Sequence, residues 1–146
     1  VMQRGSVPVL AIPDNFKYKK PKKIAFLSNY LTKYDSKDLF VLQEIIQSNH
    51  STAHILHVSQ DVALTEVQEK NIKKIDKLFT HSSHKFIDLK GEEVFKEVND
   101  YIKLNDIHLI AMVNKKHSFF ERFFTTHTVE DFGFKSDIPI LVMPKR

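Results

Sequence analysis

The sequence predicts an α/β fold built on a parallel sheet, and three observations carry that prediction. First, 146 residues match the ~150 of an average domain, enough to hide ~68–70% of the unfolded surface. Second, four short runs, Ile24–Leu27, Ala53–Val58, Ile107–Val113 and Ile138–Met143, are almost wholly apolar. Continuous apolar runs of this length fit strands buried on both faces. Third, segments with apolar residues at helical spacing separate these runs. The order is a strand, then β-α-β-α-β-α-β-α-β, which right-handed crossovers turn into a doubly wound parallel sheet. The fold class is thus a five-stranded parallel sheet plus an extra N-terminal strand.

Each element has its own warrant. Val7–Pro13 reads as a short strand, and Pro8, lacking an amide donor, suits an edge or a strand start. Asp14–Lys23 reads as a solvated, lysine-rich linker. Ile24–Leu27 is the first buried strand, followed by a turn over Ser28–Asp35. Leu39, Leu42, Ile45 and Ile46 recur at helical spacing through about Ser36–Ser48, with Asp35 or Ser36 as N-cap. Ala53–Val58 is the next strand. Asp61–Lys74 reads as a helix capped by Asp61, and Lys77–Thr80 as a short third strand. Phe86–Leu89 is a small extra strand or an extended loop. Gly91 opens a helix carrying Val94, Phe95, Val98, Tyr101 and Ile102 on one face. Ile107–Val113 is the fourth strand, Phe119–Phe132 another helix, and Ile138–Met143 the last strand.

Composition excludes several classes of function. Cysteine is absent, which removes disulfides, thiolate metal sites and cysteine nucleophiles. No apolar run reaches the ~18 residues that span a bilayer, and no basic-then-apolar leader pattern is seen. We expect a cytoplasmic chain without a membrane partner. Lys+Arg number 22 and Asp+Glu 18, so the net charge is only +4. That balance does not point to nucleic acid, whose binders concentrate charge on one face. Eight histidines invite a metal reading. His54 and His57, however, lie an odd number apart on a strand and face opposite sides. His81 and His84 supply too few ligands for the three or four that zinc needs, so surface histidines are the expectation. No Gly-x-Ser-x-Gly elbow occurs, and Glu130 and Asp131 are adjacent rather than spaced as an acid/base pair. Phe119, Phe120, Phe123 and Phe124 are read as core packing.

At this point the residues resemble the universal stress protein family over roughly Lys22–Lys145. Lys22–Asn29 is similar to its opening strand, Ile55–Val58 to its second, Ile107–Val113 to its fourth and Ile138–Met143 to its fifth. The resemblance implies an adenine nucleotide alpha hydrolase-like fold and a role in stress response. Val7–Pro13 also resembles a fifth strand of this family. That implies residues 1–13 as the terminal strand of a preceding domain, 14–22 as a linker and 23–146 as a universal stress protein domain. The competing reading is an N-terminal extension that happens to be rich in valine and proline. Family members commonly pair their fifth strands antiparallel. The resemblance therefore implies homodimer or tandem-domain pairing through Val7, Val9, Ala11, Ile138, Ile140 and Val142, within one chain or between two.

Ligands of such sheets sit at the carboxyl ends of the strands, where strand order reverses. The candidate nucleotide or anion pocket is Leu27, Ser28, Asn29, Val58, Val113, Asn114, Lys116, His117, His127 and Thr128. Many members of the family hold ATP on a glycine pattern after the fourth strand, because glycine lets the backbone approach phosphate. Laid onto this chain, the pattern puts Asn114, His117 and His127 at the three glycine positions, and only the hydroxyl of Thr128 remains. The adenine-side aspartate position is Asn29, a neutral group. No cofactor is expected. The expectation is a non-enzymatic domain with a degenerate nucleotide site, acting by protein–protein contact or as a scaffold. The alternative is a module that holds ATP, AMP or another small anion, for which Lys115, Lys116, His117 and Arg122 supply cations near a helix start. A nucleotide hydrolase is the third and least favoured reading.

Overall fold

Apolar alternation along the strands sorts the side chains onto two faces of one sheet. A computed structural model describes residues 6–59, 62–115 and 137–146. The elements are β1 (Val9–Ala11), β2 (Lys23–Leu27), α1 (Phe40–Asn49), β3 (Thr52–Ser59), α2 (Glu66–Leu78), β4 (Ser83–Lys90), α3 (Val94–Leu104), β5 (Leu109–Asn114) and β6 (Ile140–Pro144). They form one six-stranded sheet in the order β1-β6-β5-β2-β3-β4. Strands β2 to β6 run parallel, and β1 alone is antiparallel. The expected α/β class and the extra strand are both present.

Ile24 and Phe26 of β2, Ile55 of β3, and Leu109, Ala111 and Val113 of β5 face α1 and α2. There they pack on Leu42 and Ile46 of α1, and on Ile75 of α2 with Phe79 just beyond it. Ala25 and Leu27, Leu56, and Ile110 and Met112 face the other way, onto Phe95, Val98 and Ile102 of α3. The central strands are buried twice over, which is why they read as unbroken apolar runs. Each fully buried Leu, Ile or Phe side chain contributes roughly 1.5–3 kcal/mol of transfer free energy.

Several boundaries differ from the sequence reading. Lys77–Thr80 is not a strand: Lys77 and Leu78 finish α2, and Phe79 is its C-cap, with its ring driven into the core. The third parallel strand is β4 instead, a full eight-residue strand paired with β3 along Thr52–Ser59. Helix α2 starts at Glu66, and the predicted cap Asp61 lies outside the described residues. Its cap is Thr65, whose hydroxyl accepts from the Gln68 N–H while the Gln68 side chain accepts from the Thr65 N–H. This reciprocal box satisfies two donors that a helix start leaves orphaned. Thr65→Ala is expected to cost about 1 kcal/mol, read as a lowered urea midpoint with an unchanged m-value. The helix expected over Phe119–Phe132, and with it the phenylalanine packing and the pair Glu130 and Asp131, lie outside the described residues.

Helix α1 begins at Phe40, later than expected, and neither Asp35 nor Ser36 caps it. The residues before it are held by Asp38, whose side chain is fully buried. Its carboxylate accepts from the Asp35 N–H at 2.7 Å, the Arg146 N–H at 2.7 Å and the Lys145 ammonium at 2.8 Å. One carboxylate thereby ties the approach to α1 to the end of β6. Burial pushes its pKa up, but these donors win and hold it below the ordinary aspartate value.

Strand β1 lies against β6, with Val9 opposite Val142, Leu10 opposite Leu141 and Ala11 opposite Ile140. The pairing is made within the chain. The opposite edge, β4, presents exposed Lys85, Asp88 and Lys90, charges of the kind that discourage strand addition. Among the described residues no helix is long and apolar enough to cross a membrane.

Candidate functional site

The strand order fixes where a ligand site belongs. From β2 the chain moves outward to β3 and β4, then crosses back to β5 on the other side of β2. The crevice of such a sheet opens at the carboxyl ends of β2, β3 and β5. Leu27 ends β2 beside Leu56, Val58 lies near the end of β3, and Val113 and Asn114 end β5. These candidates gather at one end of the sheet but not on one face. Leu27 packs on the α3 side with Val58 against it, whereas Val113 belongs to the core under α1 and α2. The Asn114 carbonyl accepts from the Lys145 N–H at 3.1 Å. Lys116, His117, His127 and Thr128, and Arg122 of the anion reading, lie outside the described residues; Lys115 directly follows β5.

The loop after β2 is built around a buried tyrosine. Tyr30 is only 4% exposed and sits at φ 63°, a left-handed conformation unusual for a bulky residue. Four side chains hold the loop there. Ser28 Oγ accepts from the Tyr30 N–H at 3.0 Å and lies 3.3 Å from the Tyr34 hydroxyl. Asn29 Oδ1 accepts from the Leu31 N–H at 3.0 Å. From α2, the Gln68 side-chain amide donates to the Asn29 carbonyl at 3.0 Å, and that of Asn71 to the Tyr30 carbonyl at 2.7 Å. A backbone position costing roughly 1–3 kcal/mol is thus over-determined by its surroundings.

The ring of Tyr30 lies over β3 and β4 on the α1 and α2 side of the sheet. Its centroid is 4.7 Å from that of His57 and 6.3 Å from that of Phe86. His57 Nδ1 is 3.0 Å from Asp88 Oδ1, and Ser59 Oγ donates to the other carboxylate oxygen at 3.3 Å. Burial, and then the Asp88 charge, push the Tyr30 phenol far above its ordinary pKa. The phenol is neutral at any working pH. Ser28 Oγ and Asn29 Oδ1, on two of the expected ligand residues, accept backbone amides of this loop. Tyr30, Gln68 and Asn71 are the residues that sequence reasoning missed. Thr65-x-x-Gln68 is a capping signature that places the start of α2, but nothing in the sequence brings Asn71 to Tyr30.

His54 and His57 separate as expected, but they are buried rather than surface histidines, at 4% and 7% exposed. His54 Nδ1 is 2.7 Å from the Tyr101 hydroxyl of α3, whereas His57 stacks on Tyr30 across the sheet. His84 does not join His81; its ring bridges Asp76, at 2.6 Å, and the Ser82 carbonyl, at 2.8 Å. Burial lowers the His84 pKa, but Asp76 and the Ser82 carbonyl outweigh it and raise the value. Among the described residues no three His, Asp or Glu side chains cluster so as to hold a metal ion. Grooves of about 510 and 380 Å³ do occur, but at the amino ends of the strands, opposite the crevice.

No protein-family model matches the chain, and no curated protein matches it. Solved structures do. A universal stress protein from Archaeoglobus fulgidus DSM 4304 superposes with a TM-score of 0.69 at 13% identity, covering 99% of this chain and 52% of that one. The chain therefore spans about half the length of that protein. A universal stress protein from Archaeoglobus fulgidus gives 0.60 at 12% identity, covering 83% and 92% of the two chains. A protein of the universal stress protein family from Burkholderia pseudomallei gives 0.53 at 14% identity, covering 88% and 99%. The fold is that of the universal stress proteins.

Proposed function

We propose that this chain is a stress-response universal stress protein domain that has given up nucleotide binding and acts without catalysis, through contact with other proteins or domains. The observation that carries this reading is the Tyr30 plug. In this reading the Tyr30 ring, turned from the end of β2 back onto His57 and Phe86, closes off the space that a nucleotide base would take. The side-chain oxygens of its neighbours Ser28 and Asn29 accept amides of the loop itself. The asparagine and histidines that the sequence carries at the three glycine positions of the family pattern agree with this, because glycine is the residue that lets the backbone approach phosphate closely.

The contact surface in this reading is the β1 edge. Strand β1 lies antiparallel on β6, the arrangement that the fifth strands of two like domains adopt in the resemblance. Val9, Ala11, Ile140 and Val142 meet in that ladder, and Val7 and Ile138 flank it. The superposition on a protein of twice the length agrees with a tandem arrangement. Calorimetric titration with magnesium-ATP tests the reading: no saturable heat is expected at micromolar concentrations. Stoichiometric micromolar binding would reject the degenerate site and favour the ATP, AMP or small-anion module.

A further inference from the structure

The groove of about 380 Å³ at the amino ends of β2, β3 and β4 is lined by Lys23, Thr52, His54, Lys85, Leu104, Asn105 and Asp106. Its charges are unusual for their arrangement. Lys23 and Lys85 flank His54, each on a strand neighbouring β3 at the register of His54 or close to it: Lys85 lies directly opposite His54, and Lys23 opposite Thr52. Neither lysine forms an ion pair with a carboxylate among the described residues; the Lys23 ammonium donates only to the Asn105 carbonyl, at 3.3 Å. The single acid on the lining, Asp106, is 3.4 Å from His108 Nε2. His54 is itself 4% exposed. Its Nδ1 faces the Tyr101 hydroxyl, which leaves Nε2 as the ring's remaining polar atom on the groove side.

We propose that this groove is an anion site for a compact dianion of the phosphate or sulfate type, held between Lys23 and Lys85 with His54 as its hydrogen-bonding partner. The site lies on the far end of the sheet from the crevice and does not depend on how that crevice is read. Two ammonium groups without a counter-charge beside a buried ring make a field that a dianion neutralises. The same field explains the state of the imidazole. Burial first, then Lys85 and Lys23, bring its pKa down to about 4. The other groups facing the ring are the Tyr101 phenol of α3, which is uncharged, and Asp106 at the rim. A bound dianion cancels that field, so binding and protonation of His54 favour each other reciprocally.

The test uses sodium sulfate, dianionic throughout the titration, on the whole chain, with sodium chloride at matched ionic strength as reference. The His54 ring resonances are followed by NMR from pH 3 to 8. Saturating sulfate is expected to raise the His54 pKa by at least about half a unit, a threefold shift in proton affinity, and chloride is expected not to. Lys85→Ala is expected to weaken sulfate at least fivefold, on the order of 1 kcal/mol, while Lys85→Arg retains it. An unmoved His54 titration, an equal effect of chloride, or undiminished affinity in Lys85→Ala would each overturn the site.

Discussion

Asp38→Ala is expected to be among the most destabilising single substitutions in the chain, at about 2–4 kcal/mol. The carboxylate is buried and serves three donors: the Asp35 and Arg146 amides and the Lys145 ammonium. Removing it strands all three, and orphaned donors cost more than the bonds they made. The figure sits at the lower part of the range for broken buried pairs because the Lys145 side chain keeps some exposure, 22%. Urea denaturation at pH 7 reads the loss directly. The pH dependence supplies a second reading. The folded-state pKa of Asp38 is depressed, so its contribution is complete above the unfolded value of about 3.9 and disappears as pH falls through the lower folded value. The Asp38→Asn protein should therefore lose less stability between pH 5 and pH 2 than the parent. Equal acid sensitivity would show that the carboxylate is not the anchor.

The second large effect is at Tyr30. Tyr30→Ala removes a ring that is 4% exposed and stacked on His57 and Phe86, and an aromatic-to-alanine change in a core costs about 3–5 kcal/mol. Tyr30→Phe keeps the ring and removes only the hydroxyl, so it should cost under about 1.5 kcal/mol. The pair separates packing from the polar atom. Thermal or chemical denaturation gives both numbers. If Tyr30→Ala cost less than about 1 kcal/mol, below the range for a filled core site, the residue would not be the plug described above. A nucleotide titration of the same variant then asks whether opening the space is enough to admit a base.

What the sequence disclosed follows from how each element is buried. Ile24–Leu27, Ala53–Val58, Ile107–Val113 and Ile138–Met143 were readable because strands covered on both faces cannot hide their apolar content. The strand β4 was harder: Ser83–Lys90 alternates polar and apolar residues at a sheet edge, and its short apolar part resembles a loop. Lys77–Thr80 misled because Leu78 and Phe79 are apolar for a helical reason, the closing turn of α2. The carboxyl-end location of the crevice followed from β-α alternation. The Tyr30 loop was not legible, because Tyr30 is fixed by partners 27, 41 and 56 positions away (His57, Asn71 and Phe86), and only the folded chain brings them together. Asp38 was invisible for the same reason, its partner Lys145 lying 107 residues along the chain.

The β1–β6 ladder has a consequence for how the molecule is handled. Among the described residues three pairs seal that border, and the exposed lysines ahead of Lys23 that tether them offer trypsin its cleavage sites. A molecule nicked there sheds its cover and bares the outer rim of Ile140–Val142, a greasy margin with unsatisfied amides. Material of that kind sticks to itself, so clouding during purification would be a symptom of clipping rather than of a poorly made core.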